Sequence, residues 1–298
     1  MTVRGRVVQQ HKSLYHVDTG EGVVAAVSRG TLKGRMDQPC VGDVVTVRLP
    51  RGRDSRAVIS DIEPRRNRLS RPVIANVDQA IFVATLRQPA VDRDTIDRFL
   101  VMLEDLELGA ALVFNKLDLL DSAGRTELER TIAAYAGAGY RCAQVCAAAG
   151  EGRDTVMELC RGKVSTLAGP SGVGKSTLLN ALAPELDLQV SEVSARTEAG
   201  VHTTTATTLL KLAPGTYLAD TPGFAAIALP RVDKHDLQLL FPELRARIGS
   251  CRFNDCLHSD EPGCTVREQA GTGGVDTERY ASYRRFLEEV LLFSRPGA

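Results

Sequence analysis

Nine consecutive residues, Gly169-Pro170-Ser171-Gly172-Val173-Gly174-Lys175-Ser176-Thr177, fit the pattern G-x-x-x-x-G-K-[ST]. Backbone N–H groups of such a loop wrap phosphate oxygens at the positive end of the helix that follows. Gly169, Gly172 and Gly174 supply backbone freedom and close approach, Lys175 neutralises the β and γ phosphates, and the Ser176 hydroxyl can bind Mg2+. The pattern needs a strand before it and a helix after it. Val164 to Ala168 and Lys175 to Leu182 read as that strand and that helix.

Four further clusters suit the same ligand. Asn115-Lys116-Leu117-Asp118 is N-K-x-D. A carboxylate there accepts from both N1–H and the 2-amino group of guanine; adenine offers no such pair, so Asp118 selects GTP and GDP over adenine nucleotides. Asn115 can brace the neighbouring loops, and the Lys116 stem can cover the base. Val145-Cys146-Ala147 either turns a backbone N–H toward guanine O6 or simply ends a strand. Asp220-Thr221-Pro222-Gly223 fits D-x-x-G, in which Asp220 reaches Mg2+ through water and the Gly223 N–H senses the γ-phosphate. His202-Thr203-Thr204-Thr205 closes a polar stretch that could supply a threonine hydroxyl to the same ion; Thr204 is the expected ligand, although spacing does not choose among the three. Near the C-terminus Cys251, Cys256, His258 and Cys264 follow C-x4-C-x-H-x5-C. Three thiolates and an imidazole make a closed tetrahedral shell for one structural Zn2+.

These clusters need scaffolds. At 298 residues the chain suits two or three domains, and 37 basic against 37 acidic residues leave no net charge to draw it to nucleic acid as a whole. No apolar stretch resembles a signal peptide or approaches the roughly 18 residues of a membrane span, so a soluble cytoplasmic protein is expected, with a monomer as the default. Residues 1–62 carry five short β-type runs, at Thr2 to Val8, Leu14 to Val17, Val23 to Val27, Val41 to Leu49 and Ala57 to Asp61. They predict a small barrel of the OB type. Its loop with Arg29, Lys33 and Arg35 suits phosphate contacts, as do Arg65, Arg66 and Arg68 in the basic linker expected at 63–72.

From residue 73 to 232 strands and helices alternate. Gln79 to Thr85, Ala110 to Phe114 and Tyr140 to Val145 read as strands, with helices at about Thr95 to Leu108, Arg125 to Ala136 and Arg153 to Cys160. Residues 233–298 form the third expected part, ending in an amphipathic helix from Thr277 to Leu292, with Tyr280, Tyr283, Phe286, Leu287 and Val290 on its apolar side and Arg284 and Arg285 on the other. The fold class expected is therefore a barrel, an α/β P-loop domain and a zinc-binding helical domain.

In this chain N-K-x-D precedes the P-loop, the reverse of the ordinary order. The same sheet results if its ends are joined elsewhere and the chain is reopened, because permutation at surface termini is tolerated. Barrel, NKLD, GPSGVGKST, HTTT, DTPG and CRFNDCLHSDEPGC, in this order, resemble the circularly permuted, small-ribosomal-subunit-dependent GTPases, the ribosome small-subunit-dependent GTPase A family. The resemblance covers nearly the whole chain. It implies GTP hydrolysis stimulated by the small ribosomal subunit, contacts with its rRNA, and a role in late assembly of that particle. It also implies that His202 aids hydrolysis, since Phe224 follows D-x-x-G where many GTPases keep a water-orienting Gln. Two positions depart from the family pattern: Val201 stands where Arg is usual, and Cys146 where Ser is usual. Two rival readings remain, a P-loop ATPase or kinase, which Asp118 opposes, and a nucleotide-gated RNA clamp whose hydrolysis is incidental.

Overall fold

A computed structural model describes residues 1–28, 38–50, 56–70, 73–184, 207–220, 228–272 and 274–293. In chain order the strands are β1 (Thr2–His11), β2 (Leu14–Asp18), β3 (Val23–Ser28), β4 (Val44–Arg48), β5 (Ala57–Ile62), β6 (Arg68–Ser70), β7 (Val73–Ala75), β8 (Gln79–Ala84), β9 (Gly109–Phe114), β10 (Arg141–Gln144), β11 (Val164–Ala168), β12 (Thr208–Ala213) and β13 (Thr216–Asp220). The helices are α1 (Arg93–Asp105), α2 (Ser122–Gly137), α3 (Arg153–Cys160), α4 (Lys175–Leu182), α5 (Pro242–Arg245), α6 (Thr265–Gln269) and α7 (Thr277–Phe293). The chain divides into two compact units, one of Met1–Ile81, Arg153–Ser171 and Lys175–Ala225, the other of Phe82–Gly152, Gly172–Gly174 and Ala226–Ala298.

In the first unit β1 to β5 close into a barrel. The long strand β1 pairs with β4 through its first half, Thr2↔Arg48 to Arg6↔Val44, and with β2 through its second, Arg6↔Asp18 to His11↔Leu14. A bulge between Val7 and Gln9 lets one strand turn that corner. β2–β3, the parallel β3–β5 and β4–β5 complete the ring. The alternating residues Val7, Tyr15, Val17, Val45, Val47, Ile59 and Ile62 fill it. β4 starts later than the expected Val41, because Cys40 to Asp43 form a turn. Gly42 there has φ +93°, and a Cβ would lie 2.0 Å from the Ala75 carbonyl oxygen. No other residue fits so close to backbone.

The expected linker contains β6, which pairs with β7. Arg65 turns inward instead of facing solvent, its guanidinium meeting the fully buried Asp43 carboxylate at 2.7 and 2.8 Å. Arg66 bonds Asp78 at 2.7 Å, whereas Arg68 is exposed. Beyond the barrel, β11 lies parallel to β13, and β13 antiparallel to β12. β1 meets β12 at Gln9↔Thr208. Beside that contact the buried Asp18 accepts from Lys211 Nζ at 3.0 Å and from Tyr217 Oη at 2.8 Å.

In the second unit β9 and β10 run parallel, Arg141↔Ala111 to Gln144↔Phe114. α1 packs Phe99 on Phe82, ring centroids 4.7 Å apart. It starts two residues before the predicted Thr95 because Asp92 caps it, accepting from the Thr95 N–H at 2.6 Å. It stops at Asp105 because Glu107 takes a left-handed φ of 52° and the Leu108 N–H returns to the Leu103 carbonyl. α2 likewise begins three residues before the predicted Arg125, with Asp121 accepting from the Gly124 N–H. α7 buries Tyr283, Phe286, Leu287 and Val290 with Phe241, Leu244 and Val101. On the same face lies Arg279, fully buried, bonded to Asp97 at 2.7 Å and Glu243 at 2.8 Å and stacked 4.7 Å over the Phe241 ring. Arg284 and Arg285 do not stand free: Arg284 donates to the Ser259 carbonyl, and Arg285 to Asp94 and Ser282.

Candidate nucleotide site and metal centre

β11 delivers the phosphate loop, and α4 starts at its Lys175. The three loop glycines take φ values of 130°, 82° and 91° at Gly169, Gly172 and Gly174, the region side chains avoid. Ser176 and Thr177 sit half-buried on the first turn of α4, where unpaired amides face an anion. Lys175 Nζ is held at 2.7 Å by both the Gly169 and Pro170 carbonyls, and burial lowers its pKa. The Lys175 ammonium is thus held in place and stripped of part of its water.

Asn115 ends β9 and is 5% exposed. Its Nδ2 donates to the Val173 carbonyl at 2.9 Å, and its Oδ1 accepts from the Ala147 N–H at 3.0 Å. One amide thus fixes the phosphate loop and the segment after β10 together, as expected for a brace. Gly174 makes this possible, since a Cβ on it would stand 2.4 Å from Asn115 Nδ2. Lys116 adopts a left-handed φ of 62° and donates through Nζ to the Gln88 carbonyl. Leu117 and Asp118 open a 3-10 turn that leaves the Asp118 carboxylate exposed, available to a base edge. Cys146 is 4% exposed; its N–H is spent on the Glu151 carbonyl at 3.1 Å, and its Sγ donates to Asp118 Oδ1 at 3.1 Å. The backbone N–H groups of Cys146 and Ala147 are both engaged with protein groups, so the sequence reading of this segment missed its side-chain contact. A thiol next to a strand end, one motif away from a required carboxylate, was the available signal.

β13 ends at Asp220. His202, Thr204, Gly223, Arg29, Lys33 and Arg35 lie outside the described residues.

In the second unit Cys251, Cys256, His258 and Cys264 bring their ligand atoms within 4.8 Å of one another. His258 Nδ1 stands 3.5 Å from both Cys251 Sγ and Cys264 Sγ. A tetrahedral ion with Zn–S of about 2.3 Å and Zn–N of about 2.05 Å sets S and N roughly 3.5 Å apart, so donor set and spacing fit such an ion. Neighbours hold the ligands in place. The hydroxyls of Tyr280 and Tyr283 donate to the His258 and Leu257 carbonyls, and Glu261 accepts from the Leu257 and Ser259 amides. Burial pushes the Cys256 thiol up to about 12 and lowers His258, so a bound ion would displace protons from the thiols.

Comparison with known proteins agrees with this geometry. The RsgA GTPase family model matches residues 62–230. The small ribosomal subunit biogenesis GTPase RsgA of Carboxydothermus hydrogenoformans is 40% identical over 97% of this chain and 98% of its own. Its namesake from Moorella thermoacetica is 39% identical over 98% and 99%. Among solved structures, YjeQ from Thermotoga maritima superposes with a TM-score of 0.82 at 35% identity, covering 99% of this chain and 100% of that one. YloQ, a circularly permuted GTPase, gives 0.80 at 28% identity over 99% and 97%. Among the described residues no helix is long and apolar enough to cross a membrane. An N-K-x-D placed before a P-loop, with Asn115 bonded to the loop residue Val173, and relatives matched over nearly their full length make this chain a GTPase of the RsgA family.

Proposed function

We propose that this GTPase serves biogenesis of the small ribosomal subunit, binds that particle through its rRNA, and hydrolyses GTP faster when bound. What carries the reading is the permuted motif order on a braced nucleotide site, in a chain as similar to small-subunit biogenesis GTPases as 40% over nearly full length. We further assign three working parts: the barrel of 1–62 with the segment 63–72, the nucleotide domain of 73–232, and the metal-bearing region of 233–298. rRNA contact falls to Arg68, which is exposed, and to Arg29, Lys33 and Arg35; Arg65 is committed to Asp43. Zn2+ is the ion assigned to the Cys3His cluster, with a structural role. The chain acts as a cytoplasmic monomer.

In the nucleotide site, Asp118 reads the guanine edge and Lys175 meets the β and γ phosphates. Ser176, Thr204 and Asp220 would hold Mg2+, which would offset charge on the transferring phosphoryl group. His202 orients the attacking water once the subunit has docked. Phosphoryl transfer depends mainly on position and charge, so an enzyme whose last positioning element comes from its partner is slow alone and fast in complex.

The test is steady-state hydrolysis of GTP and ATP at matched salt, with and without purified small subunits. GTP-specific turnover that rises many-fold with subunits, and loses that rise in His202→Ala, is the expected result. GTP-dependent binding to the subunit with no rise in turnover would replace the enzyme by a clamp.

A further inference from the structure

We propose that the barrel is a working part of the magnesium site: β1 positions the main chain at Asp220 through the cross-strand row Gln9↔Thr208↔Asp220, and Asp18 is the positioning residue that holds this row. This rests on the reading of Asp220 as a residue that holds Mg2+. Asp220 ends β13, and its cross-strand partner is Thr208, the first residue of β12. The parallel ladder to β11 on the other edge stops one residue earlier, at Thr166↔Ala219. Thr208 in turn pairs with Gln9. β1 can reach it because its partners change along its length: Arg6 pairs with β2 at Asp18 and with β4 at Val44, whereas Gln9 pairs with β2 at His16 and with β12. The edge that β4 leaves at Arg6 is thus taken up by β12, at the bulge between Val7 and Gln9. Two strand spacings, roughly 10 Å, then separate the barrel strand from the main chain at Asp220.

One residue pair fixes a point and leaves a strand to pivot about it. A second attachment sets the direction. Arg6 and Asp18 stand opposite each other on β1 and β2, and Lys211 and Tyr217 on β12 and β13. The two pairs meet: Asp18, 4% exposed, accepts from Lys211 Nζ at 3.0 Å and from Tyr217 Oη at 2.8 Å, and the Arg6 guanidinium lies 5.4 Å from the centre of the Tyr217 ring. Mg2+ tolerates little departure from octahedral geometry. A residue at the end of β13 therefore serves such an ion only if β12 and β13 keep both place and direction; Gln9 supplies the first and Asp18 the second.

The experiment measures dissociation constants of the full-length protein for guanosine 5′-(β,γ-imido)triphosphate, in saturating Mg2+ and in Mg2+-free buffer without chelator, which spares the Cys3His centre. The ratio of the two is the gain in affinity from Mg2+. Asp18→Asn and Lys211→Met are each expected to cut that gain roughly threefold or more, with affinity in Mg2+-free buffer unchanged. The double variant should lose no more than the worse single one, because both act through one bond. Val47→Ala, which opens a cavity in the barrel core away from this contact, should keep the wild-type gain. Lys211→Met, at a half-buried side chain, carries the test if Asp18→Asn does not fold. An undiminished gain in the folded variants, a double variant that loses the product of the two singles, or an equal loss in Val47→Ala overturns the assignment. A wild-type protein that gains nothing from Mg2+ overturns the magnesium reading of Asp220 and the assignment with it.

Discussion

Gly174 shows how much of this site is decided by single atoms. Its φ of 91° and the 2.4 Å clearance to Asn115 Nδ2 leave no space for a methyl. Gly174→Ala must therefore move the phosphate loop, break the Asn115 brace, or do both; the left-handed backbone alone costs about 1–2 kcal/mol. GTP affinity should fall tenfold or more, as read by titration, while the far-ultraviolet spectrum stays that of the wild type. The loop's backbone was legible in the sequence because the pattern dictates residue type and spacing: Gly169, Gly172 and Gly174 take the positive φ that glycine admits. What spacing does not reveal is which side chain a neighbour has claimed. Arg65 reads as a free cation in a run of arginines, yet the fully buried Asp43 carboxylate has taken it. Cys146 reads as a backbone contact to the base or as a strand end, yet its sulfur donates to the Asp118 carboxylate.

At the level of elements, boundaries moved wherever a cap or a close approach outweighed periodicity. Asp92 and Asp121 start α1 and α2 ahead of their apolar faces, and the Gly42 turn delays β4. α7 is the instructive case. Arg279, Tyr283, Phe286 and Val290 share one face at helical spacing, so the sequence already put a cation among the apolar residues. The fold answers it with two buried carboxylates from elsewhere in the chain, Asp97 and Glu243. Arg279→Met fits the volume but leaves both carboxylates buried without a cation, a loss of about 3–5 kcal/mol. Chemical denaturation at pH 7 should show it as a lower midpoint for this unit. The loss should also shrink toward pH 5. Burial already raises the Asp97 pKa, and without Arg279 the folded state takes up a proton that the unfolded state releases, so stability falls as pH rises.

For the whole molecule, the first unit joins the barrel to β12 and β13 through the Gln9↔Thr208 pairing and one buried carboxylate, Asp18. Burial alone would raise the Asp18 pKa, but hydrogen bonds from Lys211, the Gly20 amide and Tyr217 outweigh it and hold it below the usual value. A depressed carboxylate gives stability that is complete above its unfolded pKa of about 3.9 and is lost as pH falls through the folded value. Asp18→Asn should therefore lower the thermal midpoint at pH 7 and flatten its decline below about pH 4, relative to wild type. The barrel, the P-loop architecture and the metal cluster were each legible as separate modules, because each has its own local pattern. Their joining was not, since Gln9↔Thr208 and Asp18 with Lys211 pair residues about two hundred positions apart, beyond any periodicity. That joining also shields a vulnerable rim. β12 carries the adjacent, buried Leu209 and Leu210, and β1 lies against it at Gln9↔Thr208. A chain cut to begin at Glu63 would present β12 as a bare edge, a template for its own copies. Such a fragment should run as aggregates or concentration-dependent oligomers on size exclusion, so the barrel doubles as a guard against edge-to-edge pairing.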